Sequence, residues 1–170
     1  YETNQLDLAG SVQISLLDSG PARGIIRVNK KFSRSEFSQD ITLYHQSPVI
    51  EFHTRVKWYE KHLLLKTAFP VSVVNETAAY EIPYGVIQRS TQRRTASEKA
   101  KFEVPALKWA DLTDKSDTYG VSLLNNCKYG YDIKDNVLRL SLLRAPTYPD
   151  PHADEGEHSF VYALYPHPGN

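Results

Sequence analysis

The sequence has no methionine and a single cysteine, Cys127, among its 170 residues. One thiol cannot close an internal disulfide, which excludes the stapled scaffolds of small secreted domains and favours a reducing compartment. A cytoplasmic location is therefore expected. The missing methionine leads to the expectation that the chain is cut from a longer polypeptide. Neither sign of charge is in surplus, since 20 Lys and Arg balance 20 Asp and Glu. A nucleic-acid footprint needs clustered cationic excess, so no nucleic-acid partner is expected. No membrane partner is expected either: no apolar run approaches the roughly 20 residues of a membrane helix. The opening YETNQLDLAG lacks the basic-then-apolar order of a signal peptide. Glycines are scattered singly, which excludes a phosphate-cradling loop.

What is present is alternation with a period of two. Ile50, Phe52, Thr54, Val56 and Trp58 share one side of a strand, with Glu51, His53, Arg55 and Lys57 on the other. Residues 24–32, 37–44, 63–69, 71–82, 120–124, 137–143 and 159–165 read similarly. Ser19-Gly20-Pro21, Gln46-Ser47-Pro48, Lys134-Asp135-Asn136 and Pro149-Asp150-Pro151 supply the turns. Asp and Asn tolerate left-handed backbone, so Lys134-Asp135-Asn136 predicts a tight hairpin. Many short strands with almost no helical period predict an all-β fold, an antiparallel β-sandwich in one domain over residues 1–170. A single helix candidate runs from Ala96 to Lys101, too short to stand alone, and the polar residues 88–100 read as a long surface loop. Trp58 and Trp109 are expected in the core.

Four constellations could carry chemistry. His152, Asp154 and His158, with Asp150, Glu155 and Glu157 beside them, mix imidazoles with carboxylates, but their spacing fits no common zinc pattern. Asp132, Asp150, Asp154 and Glu157 could supply the paired carboxyl groups of glycoside hydrolysis, although nothing in the spacing makes two converge. No nucleophile elbow exists, and Cys127, following an apolar strand, reads as a packed small residue. The fourth is the segment YGVSLLNNCKYGYDIKDNVLRLSLLRAPTYPDP from Tyr119. Here Asn125, Lys128, Tyr129, Tyr131 and Asp132, with Arg144, combine rings that could stack on a sugar with groups that could hydrogen-bond its hydroxyls. The bland alternative is that the tyrosines only cover a sheet edge.

Six segments in order carry a family resemblance: VKWYEKHLLLKTAFPV from Val56, YEIPYGVIQR from Tyr80, AKFEVPALKWADL from Ala100, YGVSLLNNCKYGYDI, LRLSLLRAPTYPDP and DEGEHSFVYALYPH from Asp154. Together they resemble the α-mannosidases of glycoside hydrolase family 38, especially the cytosolic, vacuolar and bacterial branch. The resemblance implies a zinc-dependent retaining exo-α-mannosidase as the parent. Its zinc ligands, nucleophile and acid/base group lie in preceding domains. The region resembled is the C-terminal β-sandwich, a galactose-mutarotase-like supersandwich. The resemblance therefore implies no catalytic residue, no metal ligand and no bound cofactor on this chain, with zinc belonging to the parent. Expected partners are the remaining N-terminal domains and an α-mannoside substrate. Arg144 matches best the arginine that the family sends from this sandwich toward the sugar, and the Asn125–Asp132 turn is the second candidate. Two other readings stand beside this one. One is an autonomous carbohydrate-binding β-sandwich. The other is a structural domain with an apolar docking patch of several hundred Å².

Overall fold

A computed structural model describes residues 10–169, so the reading of the first nine residues as a non-signal segment lies outside the described residues. The elements in order are β1 (Val12–Ser19), β2 (Arg23–Phe32), β3 (Ser35–Tyr44), β4 (Ile50–Trp58), β5 (Leu65–Pro70), β6 (Thr77–Ile82) and β7 (Gly85–Ser90). The helix α1 (Ala96–Ala100) follows, then β8 (Val104–Pro105), β9 (Trp109–Thr113), β10 (Gly120–Asn125), β11 (Gly130–Lys134), β12 (Val137–Leu143) and β13 (Gly156–His167). The fold is all-β with antiparallel sheets, as the alternation predicts. Two compact units divide the chain. One takes the polypeptide up to Leu64 with Leu143–Tyr162, the other takes Leu65–Leu142 and the residues from Ala163.

The first unit is an antiparallel ladder in which β1 pairs with β2, β2 with β3 and β3 with β4, with the first residues of β13 beside β4. On β4 the alternation is realised residue by residue: Phe52, Thr54, Val56 and Trp58 are buried, while His53, Arg55 and Lys57 are exposed. Gln39 shows how this interior tolerates polarity. Its Nε2 donates to Thr54 Oγ1 at 2.9 Å and to the Tyr162 hydroxyl at 2.6 Å, satisfying buried groups that would otherwise be costly. The Tyr162 ring stacks on Phe52 with centroids 5.1 Å apart.

In the second unit two antiparallel sheets face each other, one containing β10-β9-β6-β7 and the other β5-β12-β11-β8. Leu112, Leu123, Leu138 and Leu140 are fully buried between them. Each such side chain contributes roughly 1.5–3 kcal/mol relative to exposure. The Tyr80 ring of β6 meets the Tyr131 ring of β11 edge-on at 6.5 Å. The Lys134–Asn136 hairpin forms as predicted: Lys134 pairs with Val137, and Asp135 takes the left-handed conformation at φ 55°.

Three local expectations change. Residues 71–76 leave the predicted strand because Val71 is diverted: its N–H donates to Asn136 O at 3.0 Å, and its carbonyl accepts from Asn136 Nδ2 at 2.7 Å. The polar 88–100 segment is no free surface loop. Its first residues complete β7, fully buried Thr91 donates through Oγ1 to Asn75 O at 2.6 Å, and α1 closes it with a capping box between Thr95 and Glu98. Strands β1, β7, β8 and β9 were not anticipated, because their apolar periods are short or lie beside charged residues. Trp58 is buried as expected, whereas Trp109 is only half-buried.

Candidate functional site

The turn between β10 and β11 is built by Asn125. Its Oδ1 accepts from Lys128 N at 2.5 Å, while its Nδ2 donates to Leu107 O at 3.1 Å and to the Tyr131 hydroxyl at 2.5 Å. One amide therefore satisfies three groups and fixes where the loop leaves the sheet. The loop carries Tyr129, 60% exposed, at its outer side, with half-buried Lys128 beside it. Cys127 lies on the same excursion and is exposed, which corrects its expected packing role. Leaving the ladder at Asn125 takes the next residues out of the apolar environment that their sequence neighbours suggested.

Two residues of the expected sugar platform are turned inward. Tyr131 is wholly buried, its hydroxyl donates to Leu123 O at 3.3 Å, and burial pushes that phenol up from its ordinary pKa. A ring enclosed between sheets cannot stack on a sugar, so its role here is packing. Asp132, one residue later, points to the opposite face of the four-stranded sheet, yet its side chain is only 3% exposed. It is enclosed by Arg93, Arg139 and Lys66. Arg139 Nη1 reaches Oδ2 at 2.5 Å, Arg93 donates to Oδ1, and Lys66 Nζ stands 3.9 Å from Oδ2. The expectation that Asp132 binds a sugar hydroxyl gives way to an ion cluster that anchors the polar strap carrying Arg93. Burial pulls the Lys66 ammonium down from its ordinary pKa, against the attraction of Asp132 and Glu103.

The cluster was partly legible. Counting outward from the Asp135-Asn136 turn places Asp132 directly opposite Arg139. Lys66 and Arg93 come from distant elements, and no local signal links them to Asp132.

Arg144 belongs to the first unit and follows β12. It is exposed, and the chain bends sharply after it, with Ala145 at φ 48°. Asp154 holds this bend: its Oδ2 accepts from Arg144 N at 3.0 Å and from Ala145 N at 2.9 Å. His158 Nε2 bonds the Asp154 carbonyl at 2.9 Å, and His152 Nδ1 pairs with Glu155 at 2.8 Å. The His and Asp residues considered for a metal are thus committed to shaping the loop that presents Arg144. Among the described residues no three His, Cys, Asp or Glu side chains converge to hold a metal ion. A zinc ion does not fit the donor set described.

A further polar knot in the second unit escaped the sequence reading. Asp111 Oδ1 accepts from Ser122 Oγ at 2.7 Å and bonds His167 Nε2 at 2.8 Å, and Asp111 Oδ2 accepts from Thr113 Oγ1 at 2.6 Å. The carboxylate, not the imidazole, receives the serine. Nucleophilic activation requires a base on the hydroxyl with a third group behind that base, so this Ser–Asp–His order braces structure instead. The signal was weak, since the three residues stand on β9, β10 and β13.

Comparisons with known proteins agree with this architecture. The glycosyl hydrolases family 38 C-terminal domain matches residues 1–152. Mouse alpha-mannosidase 2C1 is 47% identical over 80% of the chain, and the yeast alpha-mannosidase is 46% identical over 71%. The chain spans only 13% and 11% of the length of those two relatives. An alpha-mannosidase structure from Enterococcus faecalis superimposes with a TM-score of 0.82 at 18% identity, covering 94% of this chain and 22% of that one. A Klebsiella pneumoniae protein assigned as an aldose 1-epimerase superimposes at 0.59 with 11% identity, over 91% of this chain and 53% of its own. These two likenesses establish the fold, an antiparallel β-sandwich of the mutarotase type. No helix among the described residues is long and apolar enough to cross a membrane. With the profile matching most of its length, the chain belongs to the glycosyl hydrolase family 38 C-terminal domain family.

Proposed function

We propose that this chain serves as the C-terminal β-sandwich of a zinc-dependent, retaining exo-α-mannosidase of the cytoplasm, completing a sugar site whose catalytic groups lie elsewhere in the polypeptide. The 47% identity to mouse alpha-mannosidase 2C1 carries the reading. The single exposed cysteine is compatible with a reducing location. As the family resemblance implies, the zinc and both catalytic carboxyl groups belong to preceding domains. Arg144 contributes the substrate contact: it is exposed on a bend fixed at two backbone N–H groups by Asp154. The bend fixes where the Arg144 side chain leaves the backbone, and its guanidinium offers several donors to sugar hydroxyls. Tyr129, Lys128 and Asn125 form a secondary polar surface on the other unit.

The test is kinetic. The full-length polypeptide should hydrolyse p-nitrophenyl α-mannoside, and Arg144→Ala should lower kcat/KM by about tenfold or more, the loss of one charged hydrogen bond of roughly 1.5–3 kcal/mol. Wild-type kinetics in that variant would remove Arg144 from the site. Hydrolysis by this region alone would overturn its dependence on the preceding domains. Saturable mannose binding by this region alone would favour an autonomous carbohydrate-binding module.

A further inference from the structure

The first unit has one face that its described strands do not finish covering. Strand register carries the buried side of β4 outward to β1: Phe52 pairs with Ile41, Ile41 with Ile26 and Ile26 with Leu16, while Thr54 pairs with Gln39, Gln39 with Val28 and Val28 with Ile14. All these side chains share one face, because paired residues point to the same side of a sheet. Exposure climbs steeply along it. Phe52 and Thr54 are buried, whereas Ile14 is 70% and Leu16 67% exposed. Val12, Ile26 and Leu43 extend the exposed apolar surface on the same side.

The rim of β1 is equally unprotected. Its sequence VQISLLDS contains no lysine, arginine or proline; its one charge, Asp18, is paired with Arg23 near the strand's end, where a bulge between Leu16 and Asp18 interrupts the register. Among the described residues β1 ends its sheet and pairs on one side alone, with β2. Edge strands exposed to water normally carry charge, proline or a strong twist to prevent pairing. An apolar face and an open edge on the same eight residues fit a surface that another β-structure covers.

This chain corresponds to 13% of the mouse enzyme's length and matches a family domain defined as C-terminal, so most of such a polypeptide precedes the matched region. We propose that the Val12–Ile14–Leu16 face and the free edge of β1 seat an apolar, strand-bearing segment from the preceding part of the longer polypeptide. This rests on the reading of the chain as part of a longer mannosidase. The segment adds a strand to β1 and lays alternating apolar side chains over Ile14 and Leu16.

Full-length enzyme carrying Ile14→Cys or Leu16→Cys would be labelled with N-ethylmaleimide, with rates read by peptide mass spectrometry against the same protein unfolded in urea. At least tenfold protection is expected at both positions. Labelling at the unfolded rate, in a preparation that still hydrolyses p-nitrophenyl α-mannoside, overturns the docking and leaves the mannosidase reading intact. An inactive wild-type enzyme would instead sink the mannosidase reading. Protection that disappears on dilution assigns the face to a second copy and also overturns the proposal. Hydrogen exchange on the unsubstituted enzyme covers the case in which the cysteine variants misfold. The β1 amides that point away from β2 should exchange at least tenfold slower than in the unfolded chain, and unprotected amides on that edge refute the added strand.

Discussion

Replacing Asp132 by Asn would test whether the enclosed ion cluster holds the second unit together. The substitution conserves shape but removes the carboxylate charge that Arg93, Arg139 and Lys66 share, their side chains being 11%, 19% and 21% exposed. An amide also cannot accept at both terminal atoms, so one guanidinium loses the bond it makes to this side chain. Breaking a buried pair from one side costs about 3–5 kcal/mol, because the remaining charge stays desolvated. With roughly 2–4 °C per kcal/mol for a chain of this size, the thermal midpoint should fall by about 6–20 °C. Urea denaturation followed by tryptophan fluorescence would report the same loss, about 2 M in midpoint if m is about 2 kcal/mol/M. Glu36→Gln is the control, since Glu36 and its partner Lys31 are 52% and 76% exposed and their pairing should matter little. A second test is a cycle with Arg139→Met. The double variant should lose less than the sum of the singles, because it also removes one of the cations that the Asn would leave uncompensated. A cost below about 1 kcal/mol for Asp132→Asn would refute the reasoning, since it would mean that water already solvates the cations.

Other perturbations probe separate contacts. Lys66→Met should leave stability at pH 7 unchanged or raised, because it removes an ammonium whose pKa burial has lowered. The sign follows from proton binding. Between the lowered folded pKa and the ordinary 10.5 the unfolded chain binds more protons, so wild-type stability rises with pH there. Lys66→Met should abolish that rise in urea titrations between pH 8 and 10.5, and an unchanged rise would assign it to another group. Gly120→Ala places a Cβ 2.4 Å from His167 Cε1 and 2.5 Å from Thr113 Oγ1, both tied to Asp111. About 1–3 kcal/mol of overpacking should appear in thermal denaturation, and a neutral result would show that His167 moves freely. Asp154→Ala in the full-length enzyme should lower kcat/KM for p-nitrophenyl α-mannoside in the direction of Arg144→Ala, with the double variant no worse than the lower single. Additive losses would show that Asp154 acts other than by holding Arg144.

Much of the fold was legible because period-two patterning reports a local property. The β4 faces, the full extent of β12 and the Asp135 turn follow from side-chain alternation and from which residues accept left-handed backbone. Strand ends were harder to read. Val71 looks like strand, but its backbone is claimed by Asn136, 65 residues away in sequence. The family, and with it the fold type, was legible through six ordered segments.

The sequence alone determined that the protein is an antiparallel β-structure of family 38, and which loop residues were chemically able to meet a sugar. Only the tertiary structure decided which of those residues are enclosed. Tyr131 and Asp132 are adjacent, so pleating sends them to opposite faces, yet both are buried: one by the facing sheet, the other by a strap carrying Arg93 from 39 residues away. Alternation fixes the direction in which a side chain points, but what waits there depends on distant chain, and on that local patterning is silent.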